Sequence, residues 1–166
     1  MIKKKGVIKM EILLYRVDGR LLHGQVVVSC TRTYHPTEIV VANDEAFQDE
    51  FQRTLLEFAA PPNIKLYILS IDETAQYISG EKLDRAIVVV KTPQDILKLI
   101  EKGVNINEVN IGGMYHEPNK KQYAKALFAD ERDISVLKQL REKGVNIYYQ
   151  MATQDPKEDV WRLLKI

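Results

Sequence analysis

Short apolar runs rich in β-branched residues, each followed by an amphipathic stretch, constrain the fold of this chain more than any other feature. Six such runs predict strands, at residues 12–15, 38–42, 64–69, 86–90, 108–111 and 145–151. Several are apolar at consecutive positions, which is typical of strands covered on both faces. Strands that alternate with helices predict right-handed crossovers and a mostly parallel sheet. We therefore expect a single α/β domain with three layers, α/β/α.

Helix signals separate these runs. A helix is expected to start near Val26, and Thr92 followed by Pro93 has the residue types of an N-cap and a first helical position. A C-terminal helix is expected over residues 156–164. The helix after the second strand carries an apolar stripe that is expected to face the core. The stripe consists of Phe47, Phe51, Leu55 and Phe58.

Length and charge exclude several classes of protein. The 166 residues suffice for one domain with one core. Lys and Arg number 24 against 23 Asp and Glu, so the formal net charge is +1 and no overall field attracts nucleic acid or an anionic membrane. The single cysteine, Cys30, excludes an intrachain disulfide and fits a reducing, cytoplasmic compartment as a packing residue. No apolar run approaches the roughly 20 residues that span a bilayer.

The first nine residues stand apart from the predicted domain. They include four lysines, and they contain neither the apolar region nor the small-residue cleavage site of a signal peptide. We expect residues 1–9 to be a flexible extension that precedes a domain of residues 10–166.

One edge of the predicted sheet is expected to collect the polar side chains. The carboxyl ends of parallel strands meet at the same edge, where α/β proteins bind ligands. The residues that follow the predicted strands are the loop around His23, the N-cap pair Asn43 and Asp44, then Lys91, Thr92, Gly112 and Gly113. Lys91 is expected at the rim. The two glycines either form a tight turn or permit close approach of the backbone to an anion.

The loop after the first strand carries the most reactive groups. His23 supplies an imidazole, a competent base or nucleophile near neutral pH. Arg20 offers a planar cation suited to phosphoryl or carboxylate oxygens, and Asp18 is placed either to orient the imidazole or to hold Arg20. An anion site would form if the next backbone N–H groups open a helix. These N–H groups belong to Leu22, His23, Gly24 and Gln25. Together the groups suit phosphoryl transfer through a phosphohistidine.

Plainer interpretations of these residues stay open at this level. A histidine in a strand-to-helix loop is often only a hydrogen-bonding residue, and Arg20 with Asp18 could form a surface ion pair worth under about 1 kcal/mol. The three histidines are far apart in the sequence, so no metal site is indicated. His116 falls in a polar loop, residues 114–121, where it could touch a ligand or partner. The absence of phosphate-loop and dinucleotide signatures argues against a nucleotide-dependent enzyme.

The segment of residues 16–26 resembles the active-site signature of a known family. It reads Arg16-Val17-Asp18-Gly19-Arg20-Leu21-Leu22-His23-Gly24-Gln25-Val26. This string is similar to that of the IIB component of the mannose/fructose/sorbose family of the bacterial phosphoenolpyruvate-dependent sugar phosphotransferase system. The family pattern is Arg, aliphatic, Asp, variable, Arg, two aliphatics, His, Gly, Gln, Val, and every fixed position is met. Further resemblance covers residues 40–45, 59–62, 91–93 and 109–114.

The resemblance implies a role for each residue of the loop. His23 would be phosphorylated by a IIA domain, on Nδ1 in this family, and would pass the phosphoryl group to a sugar delivered by the membrane proteins IIC and IID. Arg20 would neutralise the phosphoryl oxygens, and Asp18 would be an organising acid of the loop. The implied neighbours of the site, without stated roles, are Asn43, Asp44, Thr92, Gly112 and Gly113.

The resemblance also implies how such a protein works. It would be a cytoplasmic transferase, peripherally associated with its transporter, that uses no cofactor and binds no nucleic acid. Self-association would be weak if it occurs. The sugar is open among mannose, fructose, sorbose and amino sugars, and loop similarity favours N-acetylgalactosamine.

Two rival functions are weighed against this one. A non-catalytic regulatory domain would use the same loop to bind a sugar phosphate, a nucleotide or another anion. A hydrolase would use His23 as a base and Asp18 as its orienting acid. Uptake of a phosphoryl group on His23 distinguishes the carrier from both rivals.

Overall fold

The elements of the computed structural model alternate between strands and helices along the chain. The structure describes residues 11–80 and 84–166, so the predicted extension of residues 1–9 lies outside the described residues. The strands are β1 (Glu11–Asp18), β2 (Glu38–Ala42), β3 (Lys65–Leu69), β4 (Arg85–Val90), β5 (Glu108–Gly113), β6 (Lys121–Ala124), β7 (Leu127–Ala129), β8 (Asn146–Tyr149) and β9 (Glu158–Asp159). The helices are α1 (Gly24–Tyr34), α2 (Asp44–Gln48), α3 (Glu50–Ala59), α4 (Ile71–Ile78), α5 (Pro93–Glu101), α6 (Glu131–Glu142) and α7 (Val160–Leu164).

The main sheet is mostly parallel, as the sequence predicts. Within the described ranges it has seven strands, in the order β3-β2-β4-β1-β5-β8-β9. The pairs are parallel except that β9 runs antiparallel to β8. The helix after β1 and the helices after its neighbours β4 and β5 cover opposite faces. The carboxyl ends of β4, β1 and β5 therefore form the switch point at which α/β proteins bind ligands.

Each central strand is apolar at consecutive positions because its residues alternate between two buried faces. In β4, Val88 and Val90 belong to the core cluster that includes residues of α4, α5, α6 and α7, whereas Ile87 and Val89 belong to the cluster that includes residues of α1, α2 and α3. Cys30 is a buried residue of α1, and burial raises the pKa of its thiol, in agreement with a packing residue. The predicted three-layer α/β/α fold is confirmed. Among the described helices, none has the length and hydrophobicity needed to cross a membrane.

Most helix starts follow the predicted signals. Thr92 is the N-cap of α5 and forms a capping box with Asp95, with Pro93 at the start of the helix. The start of α1 differs, since this helix begins at Gly24, before Val26.

The C-terminal half holds two differences from the predicted elements. The expected helix over residues 156–164 is wrong in its first part, because residues 158–159 pair with β8 and the Asp159 carboxylate accepts from the Trp161 N–H to begin α7. The polar segment around residues 114–121 continues into a hairpin of β6 and β7, which the sequence analysis missed. These strands are three or four residues long, too short for their apolar alternation to be recognised.

The predicted core-facing stripe after β2 is wrong. Asp49 is extended, ends α2, and begins α3 by accepting from the N–H groups of Phe51 and Gln52. This break turns α3 so that Leu56 packs in the core at 4% exposure. Three members of the stripe instead face solvent: Phe51 is 75%, Leu55 53% and Phe58 85% exposed.

We expect two truncations on α3 to change the free energy of unfolding by very different amounts. Leu56→Ala should lower the free energy of unfolding by about 2–5 kcal/mol because it leaves a cavity in the core. Phe58→Ala should change the free energy of unfolding by no more than about 0.5 kcal/mol because its side chain is exposed. Urea denaturation of both variants measures the difference. Equal losses of unfolding free energy in the two variants would show that α3 does not bury Leu56 while exposing Phe58.

Candidate active site

Asp18 is the centre of a hydrogen-bond cluster at the carboxyl end of β1. It is fully buried. Its Oδ2 lies 3.1 Å from Arg16 Nη2 and 3.0 Å from His23 Nε2. Its Oδ1 accepts from the backbone N–H of Arg20 at 3.0 Å and from the Tyr115 hydroxyl at 3.2 Å. The sequence left two roles open for Asp18, and the contact with His23 corresponds to the orienting role. The surface ion pair between Asp18 and Arg20 is not formed, because Asp18 is buried against Arg16.

Arg16 forms an ion pair with the Asp18 carboxylate inside the protein. It is 3% exposed and bonds to two further strands or their ends. Nη1 donates to Asn110 Oδ1 at 2.8 Å and to the Gln150 carbonyl at 3.2 Å, and Nη2 donates to the Met151 carbonyl at 2.8 Å. A side chain at Gly112 would overlap the guanidinium, which explains the glycine there. The buried charge of Arg16 is thus compensated by Asp18 and by oriented oxygens.

His23 lies between the end of β1 and the start of α1. It is the N-cap residue of α1, and its side chain is 26% exposed. Residues with positive φ lie on either side of this position, Leu21 at φ 61° before it and Gly24 at φ 38° after it. Because α1 has no side-chain cap, the first N–H groups of the helix, including that of Gln25, donate no hydrogen bond to the side chain of the N-cap residue. The predicted helix N-terminus at the loop is therefore present.

The contact with Asp18 decides which ring nitrogen of His23 is reactive. A carboxylate can only accept, so Nε2 carries the proton in the neutral imidazole. Nδ1 then holds the free electron pair, and no residue in the described part of the chain hydrogen-bonds it. When the ring is neutral, its nucleophilic nitrogen is therefore Nδ1.

Tyr115 completes the cluster from the loop after β5. Its hydroxyl lies 3.4 Å from His23 Nε2 as well as near Asp18. Burial, with the negative charge of Asp18 second, raises the pKa of Tyr115 to about 12, so the phenol keeps its proton and donates. The exposed guanidinium of Arg20 lies over the Tyr115 ring, 4.6 Å from its centroid. This stacking holds a cation beside the imidazole.

The glycines that follow the fifth predicted strand are not a turn. Gly112 and Gly113 are buried residues of β5. A side chain at Gly113 would overlap the Tyr115 hydroxyl, just as one at Gly112 would overlap Arg16. Both glycines therefore make room for side chains of the cluster.

The other residues proposed from the sequence have structural contacts. Asn43 accepts from Ala46 N–H and donates to Asp95, and Asp44 accepts from Ile71 N–H, so both cap helices at the same edge without bonding to His23. The Leu22 side chain is buried in the core.

Thr92 and Lys91 lie nearer to the cluster than the caps do. Together with Gly19 and Tyr115 they line a cavity of about 110 Å³. Lys91 also pairs with Glu45 at 3.2 Å. His116 contacts the Phe128 ring, with centroids 5.5 Å apart, and lies on the hairpin side of the loop. Within the described ranges no group of three or more His, Cys, Asp or Glu side chains is placed to hold a metal ion.

Sequence reasoning missed the roles of Tyr115, Arg16 and Asn110. Two of them had a signal, because Arg16 and Asn110 are polar residues inside apolar strand runs and must find partners there. Tyr115 had none in its local sequence. Its place in the cluster depends on β5 lying next to β1, which is a property of the whole sheet.

Fold and site together define a doubly wound α/β protein with an oriented imidazole at its switch point. The family described as "PTS system sorbose subfamily IIB component" matches residues 12–166. The chain therefore belongs to this family of sugar phosphotransferase system components, and the resemblance noted in the sequence is confirmed.

Individual relatives agree with this assignment. The chain is 37% identical to "PTS system sorbose-specific EIIB component" of Klebsiella pneumoniae, over 91% of this chain and 93% of that protein. It is 33% identical to "PTS system mannose-specific EIIAB component" of Escherichia coli (strain K12), over 89% of this chain and 46% of that longer protein. The solved structure of the IIBSor domain of the sorbose permease from Klebsiella pneumoniae superposes with a TM-score of 0.90 at 33% identity, covering 94% of this chain and 97% of that one.

We expect nitrogen-15 NMR of His23 to find the proton of the neutral ring on Nε2. The reason is the 3.0 Å contact of Nε2 with the Asp18 carboxylate. His116, whose ring contacts Phe128, serves as the internal reference and should show a mixture of tautomers. A neutral His23 protonated on Nδ1 would contradict the assignment of the nucleophilic nitrogen.

Proposed function

We propose that this IIB component is a phosphocarrier that accepts a phosphoryl group from a IIA domain on Nδ1 of His23 and transfers it to a sugar. The observation that carries the proposal is the bond between Asp18 and Nε2, because it leaves Nδ1 free and nucleophilic on a partly exposed side chain. A carrier needs an accessible nitrogen for two successive partners. A base in a buried hydrolytic pocket does not need this exposure.

Each transfer exchanges one bond to phosphorus for another. In the first, a bond forms between His23 Nδ1 and phosphorus while the bond between phosphorus and the donor's histidine nitrogen breaks. In the second, a sugar hydroxyl oxygen attacks phosphorus, the N–P bond breaks, the electron pair returns to Nδ1, and the hydroxyl proton passes to solvent or to a partner base. Throughout both steps Asp18 keeps Nε2 protonated and holds the plane of the ring.

Charge stabilisation would come from the groups around Nδ1. The exposed guanidinium of Arg20 is suited to phosphoryl oxygens, and the N–H groups at the start of α1 favour negative charge. We propose that Arg20 leaves the Tyr115 ring to meet the phosphoryl group. Stabilisation of the group in flight, more than of the resting adduct, keeps the phosphohistidine transferable.

The partners follow from the family. We propose a IIA domain as the donor, membrane IIC and IID components as the carriers of the acceptor sugar, and a cytoplasmic protein that meets them at the membrane surface. The name of the mannose relative, EIIAB, supports a IIA donor. The two relatives named above carry different sugars in their names, sorbose and mannose, so this level of similarity identifies the component and not the sugar. N-acetylgalactosamine stays a prediction.

We expect the protein to gain one phosphoryl group when it is incubated with phosphoenolpyruvate, the relay proteins and a IIA domain. Mass spectrometry should map an acid-labile, base-stable adduct to His23. His23→Ala should abolish the adduct, whereas the matched variant His116→Ala should keep it. Binding of sugar phosphates without uptake of phosphoryl by wild type would favour the regulatory alternative.

Arg20→Ala should slow phosphoryl transfer by about 100-fold, since it removes a cation at the point where charge develops. The fold should persist because this side chain is exposed. Rapid-quench measurement of the transfer rate tests this, with Arg32→Ala, an exposed arginine at the far end of α1, as the control. An unchanged rate in Arg20→Ala would remove Arg20 from its assigned role.

A further inference from the structure

The outer face of α3 is an apolar surface that the core does not use. Phe51, Leu55 and Phe58 recur at spacings of four and three, so they lie on one side of the helix. All three are more than half exposed, at 75%, 53% and 85%. If a side chain of this size offers roughly 200 Å², the three together expose apolar area on the order of 400 Å². A contiguous patch of that size on a single protein often marks a contact surface.

Negative charge lies along one side of this α3 stripe. Residues 44–59 contain five carboxylates and one basic residue, Arg53, and of the carboxylates Glu45 pairs with Lys91 while Asp44 and Asp49 cap helices. Glu50 and Glu57 are exposed and fall on one flank of the stripe at the helical period. Arg53 is turned toward α2, where it donates to the Phe47 carbonyl at 2.9 Å. The stripe is therefore apolar in the middle and acidic along one border.

Charge and contact area distinguish the kinds of partner that could cover the α3 stripe: a second copy of the chain, a membrane or another protein. Two copies facing each other would bury only about 800 Å², less than the roughly 1,200 Å² of a stable interface, and would bring Glu50 and Glu57 toward their counterparts. The anionic surface of a cytoplasmic membrane leaflet would repel the same carboxylates. A basic apolar surface of similar area avoids this repulsion, and the small area corresponds to a weak, transient contact.

We propose that the α3 stripe binds an amphipathic helix of a partner protein, with aliphatic side chains on one face and lysine or arginine beside them. Helix pairs of this kind bury side chains at positions i, i+4 and i+7, which are the positions of Phe51, Leu55 and Phe58. The stripe lies on α3, whereas His23 lies at the start of α1. The chain leaves the carboxyl end of β2 through α2 and returns through α3 to the start of β3, so the C-terminal end of α3, with Phe58, lies toward the edge of the sheet opposite His23.

The test uses the full chain and two synthetic helices about 18 residues long, one of leucine and lysine and one of leucine and glutamate in the same pattern. Titration of the nitrogen-15-labelled protein should give micromolar binding of the lysine helix, with shifts on α3. The glutamate helix should bind at least about tenfold more weakly. Equal binding of both helices would overturn the charge assignment.

Variants distinguish specific docking on the α3 stripe from nonspecific binding of the lysine helix. Phe51→Ser with Phe58→Ser should weaken binding of the lysine helix at least about tenfold at an unchanged melting temperature. The control Val28→Ser, which removes an exposed apolar side chain from α1, should bind as wild type does. Equal affinity of the double variant and wild type would overturn the proposal.

Two further measurements test the two alternatives excluded above, a second copy of the chain and a lipid surface. Sedimentation should find wild type and the double variant in the same oligomeric state, and vesicles of phosphatidylglycerol should not bind. A wild-type dimer that the double variant loses would overturn the proposal in favour of a second copy. Vesicle binding that depends on Phe51 and Phe58 would overturn it in favour of a lipid surface. None of these readouts depends on uptake of phosphoryl at His23, so failure here is distinct from failure of the proposed function.

Discussion

The buried pair of Arg16 and Asp18 is the interaction on which the site depends. Two opposite charges have been taken out of water, and in such pairs the loss of one partner costs about 3–5 kcal/mol because the other charge is left uncompensated. Here the remaining donors of Arg16 reach Asn110 and the carbonyls of Gln150 and Met151, so the guanidinium connects β1 with β5 and the segment after β8. The carboxylate is consequently held from behind by the sheet itself, and its outward side is free to position His23.

In this arrangement the residues that orient His23 are held rigidly, while the ring itself stays accessible to partners. The groups that set the tautomer of His23 lie inside the sheet, whereas the ring lies in an exposed loop with two left-handed residues. A left-handed conformation costs roughly 1–2 kcal/mol at a residue such as Leu21, and such strain persists where the surroundings over-determine the backbone. Leu21 is held by its buried side chain and by its N–H bond to the Asp18 carbonyl. The loop can thus present one nitrogen to different partners without losing its orientation.

Much of the fold could be predicted because its signals are local. Runs such as Ala86–Val90 are apolar at every position, and only a strand covered on both faces requires this. The loop with Asp18, Arg20 and His23 was predictable for the same reason, since the three residues lie within six positions of one another. Tyr115 and the roles of Arg16 and Asn110 were not, because they depend on which strands become neighbours.

The phenylalanines of α3 show a different limit of sequence reasoning. Spacings of three and four establish that Phe51, Leu55 and Phe58 share a side, but not what that side faces. The helix has a second apolar position, Leu56, on another side, and the break at Asp49 sets which of the two meets the sheet. A predicted core stripe can therefore become a surface through a single capping residue.

The surface around His23 and the surface along α3 differ in how long a partner is expected to stay bound to them. Around His23 the exposed groups are polar, so a partner gains orientation and charge complementarity there but little apolar burial, which favours rapid exchange. Along α3 the exposed groups are aromatic and aliphatic, and aromatic anchors account for much of the affinity of lasting interfaces. A strand of five residues spans about 15 Å between the two edges of the sheet, so a partner at the C-terminal end of α3 lies away from the edge that holds the imidazole. Attachment through α3 would leave His23 free to exchange its phosphoryl group.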